Sequence, residues 1–324
     1  MLKELEIWQF AAERLKRDKP IMLLVVAESA GSSPGRQGFK MVVAENEMLG
    51  SVGGGVMEVA LVEQARENLK SRIQNPKSKI VEQIHRRNAP HASGMICSGR
   101  QSVIFFKLTR AEHLQTIRKI IQCLKNNRER YLRITENELT LTAEKIPAFD
   151  FKFERKNEAG FLYEEKLGFK NKLIIVGGGH CALALSELMS KMDFHISLFD
   201  DRAELNTLAK NRFVYEKTVI ESYEKIGEYV AAGGANVYVV VMTLGFAFDE
   251  IVIRKLIAKD FKYFGVLGSK AKMKILLGNL AKVGFAKEKL DRIRTPVGLP
   301  INSRTPEEIA VSIAAEIIAV KNAR

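Results

Sequence analysis

Residues 172–202, KLIIVGGGHCALALSELMSKMDFHISLFDDR, constrain the fold more than any other stretch of the chain. A run of branched apolar residues enters Gly177, Gly178 and Gly179, a helical pattern follows, and a second apolar run ends on Asp200. The order is strand, glycine turn, helix, strand. Gly177, Gly179 and Ala182 fill the small-residue places of G-x-G-x-x-[G/A], which permit a tight turn, close approach of backbone to a pyrophosphate, and close packing of helix on sheet. The start of the helix offers unpaired N–H groups and a positive dipole end to an anion. Asp200 lies about 20 residues past the glycines, where an acid can bind a ribose 2′-OH. The same glycines also suit plain strand-helix packing, and that reading stays open.

The pattern continues to the end of the chain. Residues 213–215 read as a short strand, 223–231 as a helix, 236–242 as a fully buried strand and 248–258 as a helix. YFGVLG is a further strand, and Ser269 caps the helix after it. Alternation of this kind implies a doubly wound, mainly parallel sheet with ligands near the carboxyl ends of its strands. Thr305, Pro306, Glu307 and Glu308 have the chemistry of a helix start.

The N-terminal part reads differently. Residues 1–20 form a charged amphipathic segment with Leu5, Trp8, Ala12 and Leu15 at helical spacing, unlike a signal peptide. A buried strand over 21–29 leads into a glycine-rich loop, 31–40, that carries Ser32, Ser33, Arg36 and Lys40, a mixture suited to a phosphate or pterin. After a turn at Glu45 and Asn46, a second glycine triplet, Gly53 to Gly55, opens a helix expected to bury Val56, Val59, Ala60 and Ala65. Its amides suit a phosphate, although tight packing also favours three glycines. Cys97 falls in a Ser/Gly-rich turn before an apolar strand, 103–106, and reads equally as a reactive thiol or a packed one. Residues 109–124 form an amphipathic helix, 131–134 and 139–142 a hairpin, and 147–171 a charged connection without regular period.

Composition limits the classes of function. At 324 residues the chain is long enough for two domains, and 46% hydrophobic with 27% charged residues fits a globular protein. The formal charge of +13 is spread along the chain, with no basic tract and no basic-aromatic interleaving, so nucleic acid is not an expected partner. Cys97, Cys123 and Cys181 are too few and too far apart for a disulfide framework or a cysteine zinc site. His85 and His91 lack a third ligand at metal spacing. No apolar run reaches membrane-spanning length, and the cytoplasm is the expected location. A Ser-His-Asp set cannot be assembled from motifs.

Taken together, ESAGSSPGRQGFKMVV, GSVGGGVMEVAL, GMICSGR, IIVGGGHCALAL, LFDDRAE, GVLGSKAKM and PVGL with RTPEEIAVSIAAEI resemble the xanthine dehydrogenase accessory factor family (XdhC/CoxI). The resemblance spans nearly the whole chain except 109–171. It implies an N-terminal accessory α/β domain over 1–108, a variable connection over 109–170 and a Rossmann-like domain over 171–324. It also implies a chaperone that binds molybdenum cofactor, protects it, supports its sulfuration by a cysteine desulfurase-type sulfurtransferase, and delivers it to a molybdenum hydroxylase client. No turnover of its own is required. Carried over residue by residue, it points to Gly31, Ser32, Ser33, Gly38, Lys40, Gly53, Gly54, Gly55, Glu58, Cys97 and Gly99. In the second domain it points to Gly177, Gly179, His180, Asp200 and Arg202 as cofactor-binding, with Cys97 placed near the molybdenum. Relatives carry histidines after the central strand where this chain has Leu244 and Phe246, so any role of those histidines is absent here. The alternatives left open are an NAD(P)-dependent oxidoreductase using the Gly177 turn, another nucleotide as ligand, and a scaffold bridging sulfurtransferase and client; a homodimer is among the assemblies left open.

Overall fold

The computed structural model describes residues 2–70, 78–85, 99–143, 150–156, 160–230 and 233–323. The chain divides into two compact units, Met1–Gly168 and Phe169–Arg324. The fold is mixed α/β, as expected.

In the first unit, α1 (Leu2–Lys16) buries Trp8, Ala12 and Leu15 at helical spacing. β1 (Ile21–Gly31) follows, with its first seven residues buried. After β2 (Lys40–Val43), β3 (Met48–Gly50) and α2 (Gly55–Lys70) come β4 (Lys79–His85) and β5 (Gly99–Leu108). These strands form an antiparallel sheet in the order β3-β2-β1-β5-β4. A continuous apolar strand such as β1 needs cover on both faces. α2 covers one of them, setting Leu61, Val62 and Ala65 against Met22, Leu24 and Val26.

The buried face of α2 corrects the expectation. Met57, Leu61, Val62 and Ala65 point inward, whereas Val56 and Val59 are 69% and 56% exposed and Ala60 is exposed too. The cause lies in the turn ahead of the helix: Glu58 is drawn back onto the backbone of residues 52–54, which fixes the rotation of the first helical turn.

α3 (Arg110–Lys125) buries Ile117, Ile120 and Leu124. It leads to a second antiparallel sheet made of β6 (Tyr131–Thr135), β7 (Leu139–Thr142), β8 (Phe151–Arg155) and β9 (Phe161–Lys166), in the order β7-β6-β9-β8. The β6–β7 hairpin is in the expected register, with Ile134 opposite Leu139. The supposed irregular connection over 147–171 instead contains β8 and β9. Their charge disguised them, since Glu164 and Glu165 are buried and paired with Arg133 and Lys40.

The second unit is the doubly wound domain. β10 (Asn171–Val176), α4 (His180–Ser190), β11 (Phe194–Asp200), α5 (Asn206–Lys210) and β12 (Glu216–Val219) precede α6 (Ile226–Tyr229), β13 (Gly234–Val241), α7 (Phe246–Leu256) and β14 (Phe261–Val266). α8 (Lys270–Lys282), α9 (Lys287–Leu290) and α10 (Pro306–Asn322) complete it. Every adjacent pair in the sheet β12-β11-β10-β13-β14 is parallel. Along β10 the faces alternate: Leu173 and Ile175 pack with residues of α4 and α10, Ile174 and Val176 with residues of α7 and α8. Strand order reverses between β10 and β13, which places a crevice at their carboxyl ends.

Two boundaries differ from expectation. The strand expected at 213–215 begins at Glu216; Tyr215, just before it, donates its N–H to Ile196 O and stacks on His195. The helix expected at 223–231 is a 3-10 turn, Tyr223–Lys225, capped by Ser222 and followed by α6. Thr305 and Glu308 form a full capping box at α10, and Ser269 caps α8.

Candidate functional site

The crevice of the second unit begins at Gly177. Its φ is +106°, and an added Cβ would collide with the backbone of Met242 and Thr243, so β10 and β13 can close only around glycine here. Gly178 donates its N–H to Asp200 Oδ2 at 2.6 Å. Gly179, the N-cap of α4, differs from Gly177 in its ordinary φ and ψ and from Gly178 in having no atom within 4 Å of an added Cβ, and the helix has no side-chain cap. The start of α4 is thus a positive helix end without a side-chain cap, with room beside Gly179, a place for an anion. His180 is exposed beside them and lines a groove between α4 and α10 with Glu187 and Glu307.

Asp200 corrects the expectation of a ribose-binding acid. It is fully buried, and both its oxygens are taken: Oδ1 accepts from Arg202 N at 2.8 Å and Arg202 Nε at 2.9 Å, Oδ2 from Gly178 N and from Arg202 Nη2 at 2.7 Å. Burial opposes its ionisation, but the hydrogen bonds from Arg202 and Gly178 outweigh it and hold the carboxyl below its ordinary range. The same bonds raise Arg202. Asp200 and Arg202 brace the glycine turn.

In the first unit, three motif segments converge. Gly31 pairs with Gly99 across β1 and β5. A Cβ on Gly99 would lie 2.6 Å from Ser33 N, and one on Gly53 2.7 Å from Gly35 N. At the centre is Gln101, which the sequence reading missed. Its Oε1 accepts from Ser33 Oγ at 2.8 Å and Gly35 N at 3.1 Å, and its Nε2 donates to Gln83 Oε1 at 2.6 Å and Val52 O at 3.3 Å. Gln83 passes the link to Met57 O at 3.0 Å. A single buried amide, with every group satisfied, thus ties the glycine loop, the glycine turn and α2 together. Ser32 and Arg36 stay exposed on the loop, and nothing lies near an added Cβ at Gly54 or Gly55.

Three expected ligand contacts in this unit are already used internally. Glu58 Oε2 accepts from Ser51 Oγ at 2.7 Å, Val52 N at 2.8 Å and Gly54 N at 3.0 Å. Burial works against this carboxylate, yet those bonds lower its pKa. The amides expected to cradle a phosphate hold Glu58 instead. Lys40 is buried with Nζ 2.6 Å from Glu165 and 3.2 Å from Glu4, which takes it out of reach of a ligand; burial opposes its charge, but the two carboxylates raise its pKa. Gly38, at φ +88°, packs on the ring of Phe151, away from the Gln101 cluster.

Residues 173–317 match the model described as the XdhC Rossmann domain, and residues 14–75 match that of the XdhC and CoxI family, so the two matches cover more than half of the chain. The chain belongs to the XdhC/CoxI family. Among relatives, the uncharacterized protein YqeB of Escherichia coli is 24% identical over 318 residues, 98% of this chain but 47% of that protein. A protein of Bacillus subtilis named as a probable xanthine dehydrogenase subunit is 25% identical over 221 residues, 63% of this chain and 62% of its own. The chain thus spans about half the length of the first and less than two thirds of the second. A crystal structure described as a xanthine dehydrogenase from Bacillus halodurans shares the fold with a TM-score of 0.71 at 22% identity, over 98% of this chain and 95% of that one.

Two polar residues after β13 also serve one another. Thr243 Oγ1 donates to Asp249 Oδ1 at 2.6 Å, which fastens the turn after β13 to the first turn of α7; burial raises the Asp249 carboxyl. Leu244, on the turn between β13 and α7, is 71% exposed. Cys97 and His91 lie outside the described residues. Cys123 is buried and donates its thiol to Arg128 O, and burial raises the pKa of both Cys123 and Cys181. Among the described residues, no three His, Cys, Asp or Glu side chains gather to hold a metal, and no helix is long and apolar enough to cross a membrane.

Proposed function

We propose that this chain is an accessory factor of a xanthine dehydrogenase-type molybdenum hydroxylase: it binds the molybdenum cofactor, protects it, supports its sulfuration by a cysteine desulfurase-type sulfurtransferase, and delivers it to the client. Membership of the XdhC/CoxI family supports the role. The observation that carries ligand binding is the open start of α4, where Gly179 leaves room and no side chain caps the helix. The chemistry of that place fits a phosphate. The Gly53–Gly54 turn does not, because Glu58 already fills it.

On this reading the amides after Gly179 hold a phosphate and His180 stands at its edge; Cys97 is the candidate thiol for transferable sulfur. The bound cofactor supplies the redox centre of the client, and this protein's own residues only bind, shield and release it. The oxidoreductase alternative loses the ribose contact it drew from Asp200.

The test is mass spectrometry of ligand retained by protein purified after co-expression with cofactor biosynthesis. A pterin is the expected result, and a nicotinamide dinucleotide accompanied by turnover overturns it. Cys97→Ser should fold normally yet fail to activate the client, while Cys123→Ser and Cys181→Ser remain competent. A competent Cys97→Ser removes the thiol from the mechanism.

A further inference from the structure

The first unit carries a basic pocket built from helix ends. α1 and α2 lie on opposite faces of its five-stranded sheet: Lys40 of β2 reaches Glu4 of α1 on one face, and Met41 packs with α2 on the other. Where β2 turns into β3 through Glu45 and Asn46, the last turns of both helices line one pocket of about 320 Å³. Its walls bring Arg14, Arg17 and Lys19, at and just after the end of α1, together with Arg66 and Lys70 of α2. Asp18, Glu45 and Glu47 stand among them, which leaves an excess of two positive charges.

Two of these cations are half-buried without being satisfied. Arg14 pairs through Nη2 with Glu47 and lies 4.5 Å from the centre of the Phe10 ring, yet its Nε is buried with no hydrogen-bond partner among the described residues. Arg66 goes further: its Nε is orphaned in the same way, and its side chain makes no ion pair or hydrogen bond among the described residues. Arg17, Lys19 and Lys70 have no ion pair there either. The negative ends of α1 and α2 explain why cations collect here, but they give neither Nε an acceptor. A donor on a charged group, shut away from water with nothing to accept from it, costs more than a neutral one, so two of them on one pocket call for an acceptor from outside.

We propose that this pocket binds a small phosphorylated compound, separate from the ligand at the start of α4. A guanidinium offers a fork of N–H donors that matches phosphate oxygens, and several cations around one space favour an anion of more than one charge. A volume of about 320 Å³ is at the low end for ligand pockets and suits a small phosphoester rather than a dinucleotide. Every lining residue belongs to the first unit, so the proposal stands whether or not α4 holds a phosphate.

The experiment is calorimetric titration of the full chain with pyrophosphate, with citrate and a hexaglutamate peptide as comparison anions. Gly179→Val, which disables the start of α4, should keep a pyrophosphate site. Adding Arg66→Met to it should weaken that site about tenfold or more, the worth of one hydrogen bond to a charged group. Arg66→Lys, which keeps the charge but not the fork, should retain only part of the affinity, and Glu45→Gln should raise it. Arg66→Met deletes only an unpartnered group, so without ligand it should melt as wild type does. Pyrophosphate should then raise the melting temperature of Gly179→Val but not that of the double variant. Equal affinity with and without Arg66, or no binding of pyrophosphate by Gly179→Val, overturns the pocket, and titration of wild type still decides the α4 site by itself. Tighter binding of citrate would reveal a carboxylate site and tighter binding of the peptide a surface for an acidic protein segment; either overturns the phosphorylated ligand.

Discussion

Gly178 donates its backbone N–H to Asp200 across the gap between β10 and β11, so the glycine turn and the end of the neighbouring strand are one hydrogen-bonded unit. Asp200→Ala leaves that N–H unpaired and the Arg202 charge without its partner. The expected loss is about 3 kcal/mol, read by urea denaturation. Because the folded-state pKa of Asp200 is depressed, its contribution is present above the unfolded value of about 4 and is lost as pH falls through the folded value. Wild type should therefore lose more stability than Asp200→Ala on acidification below about pH 4. Parallel acid curves for the two proteins would dismiss the brace.

Gly177 and Gly179 should respond in opposite ways. Gly177→Ala must adopt a left-handed backbone and displace Met242, at a cost of about 3 kcal/mol or more in melting experiments. Gly179→Ala should melt as wild type does, since its backbone is ordinary and its surroundings open. Gly179→Val should also fold, yet weaken phosphate binding at the start of α4. Unchanged affinity in that variant would remove the turn from the binding site.

Gln101→Leu keeps the volume and deletes four hydrogen bonds at once. Ser33, Gly35, Gln83 and Val52 then lose partners, and the first unit should be destabilised by about 3 kcal/mol. Limited proteolysis is expected to cut the 31–40 loop faster. Wild-type resistance would mean that the loop is held by its glycines alone.

Lys40→Met removes the cation between half-buried Glu4 and buried Glu165 and leaves their carboxylates without it, at a cost of about 3 kcal/mol. The folded-state pKa of Lys40 is raised, so its contribution is complete below the unfolded value of about 10.4 and is lost only as pH rises through the folded one. Alkaline titration should show the first unit intact past about pH 10. Salt should change ligand affinity equally in wild type and variant; a shallower slope for the variant would return Lys40 to the ligand.

How much of this was legible depended on the length of the signal. The run from β10 to Asp200 was readable because strand, glycine turn and helix each impose their own periodicity on consecutive residues. β8 and β9 were not, because Glu164 and Glu165 look like solvated charge until Arg133 and Lys40, distant in sequence, are brought to them. The chemistry of acids and amides at the turns was also readable, but their partners were not. Asp200 was expected to meet a ribose and Glu58 a cofactor, and sequence could not reveal that they fill glycine N–H groups instead. Gln101 left one faint trace, a polar residue entering an apolar strand. The outward face of α2 left none, since the spacing of Val56 and Val59 suits a buried face as well as an exposed one; the rotation of the helix is set by Glu58.

Glu58 has one more consequence. With its carboxylate seated on Val52 and Gly54, the N-terminal glycine turn carries its own resident anion. Any phosphate arriving there enters as a competitor and must first evict a side chain tethered to the same helix, at an effective concentration that free phosphate does not match. Glu58→Gln, with the competing charge gone, should bind inorganic phosphate better than wild type.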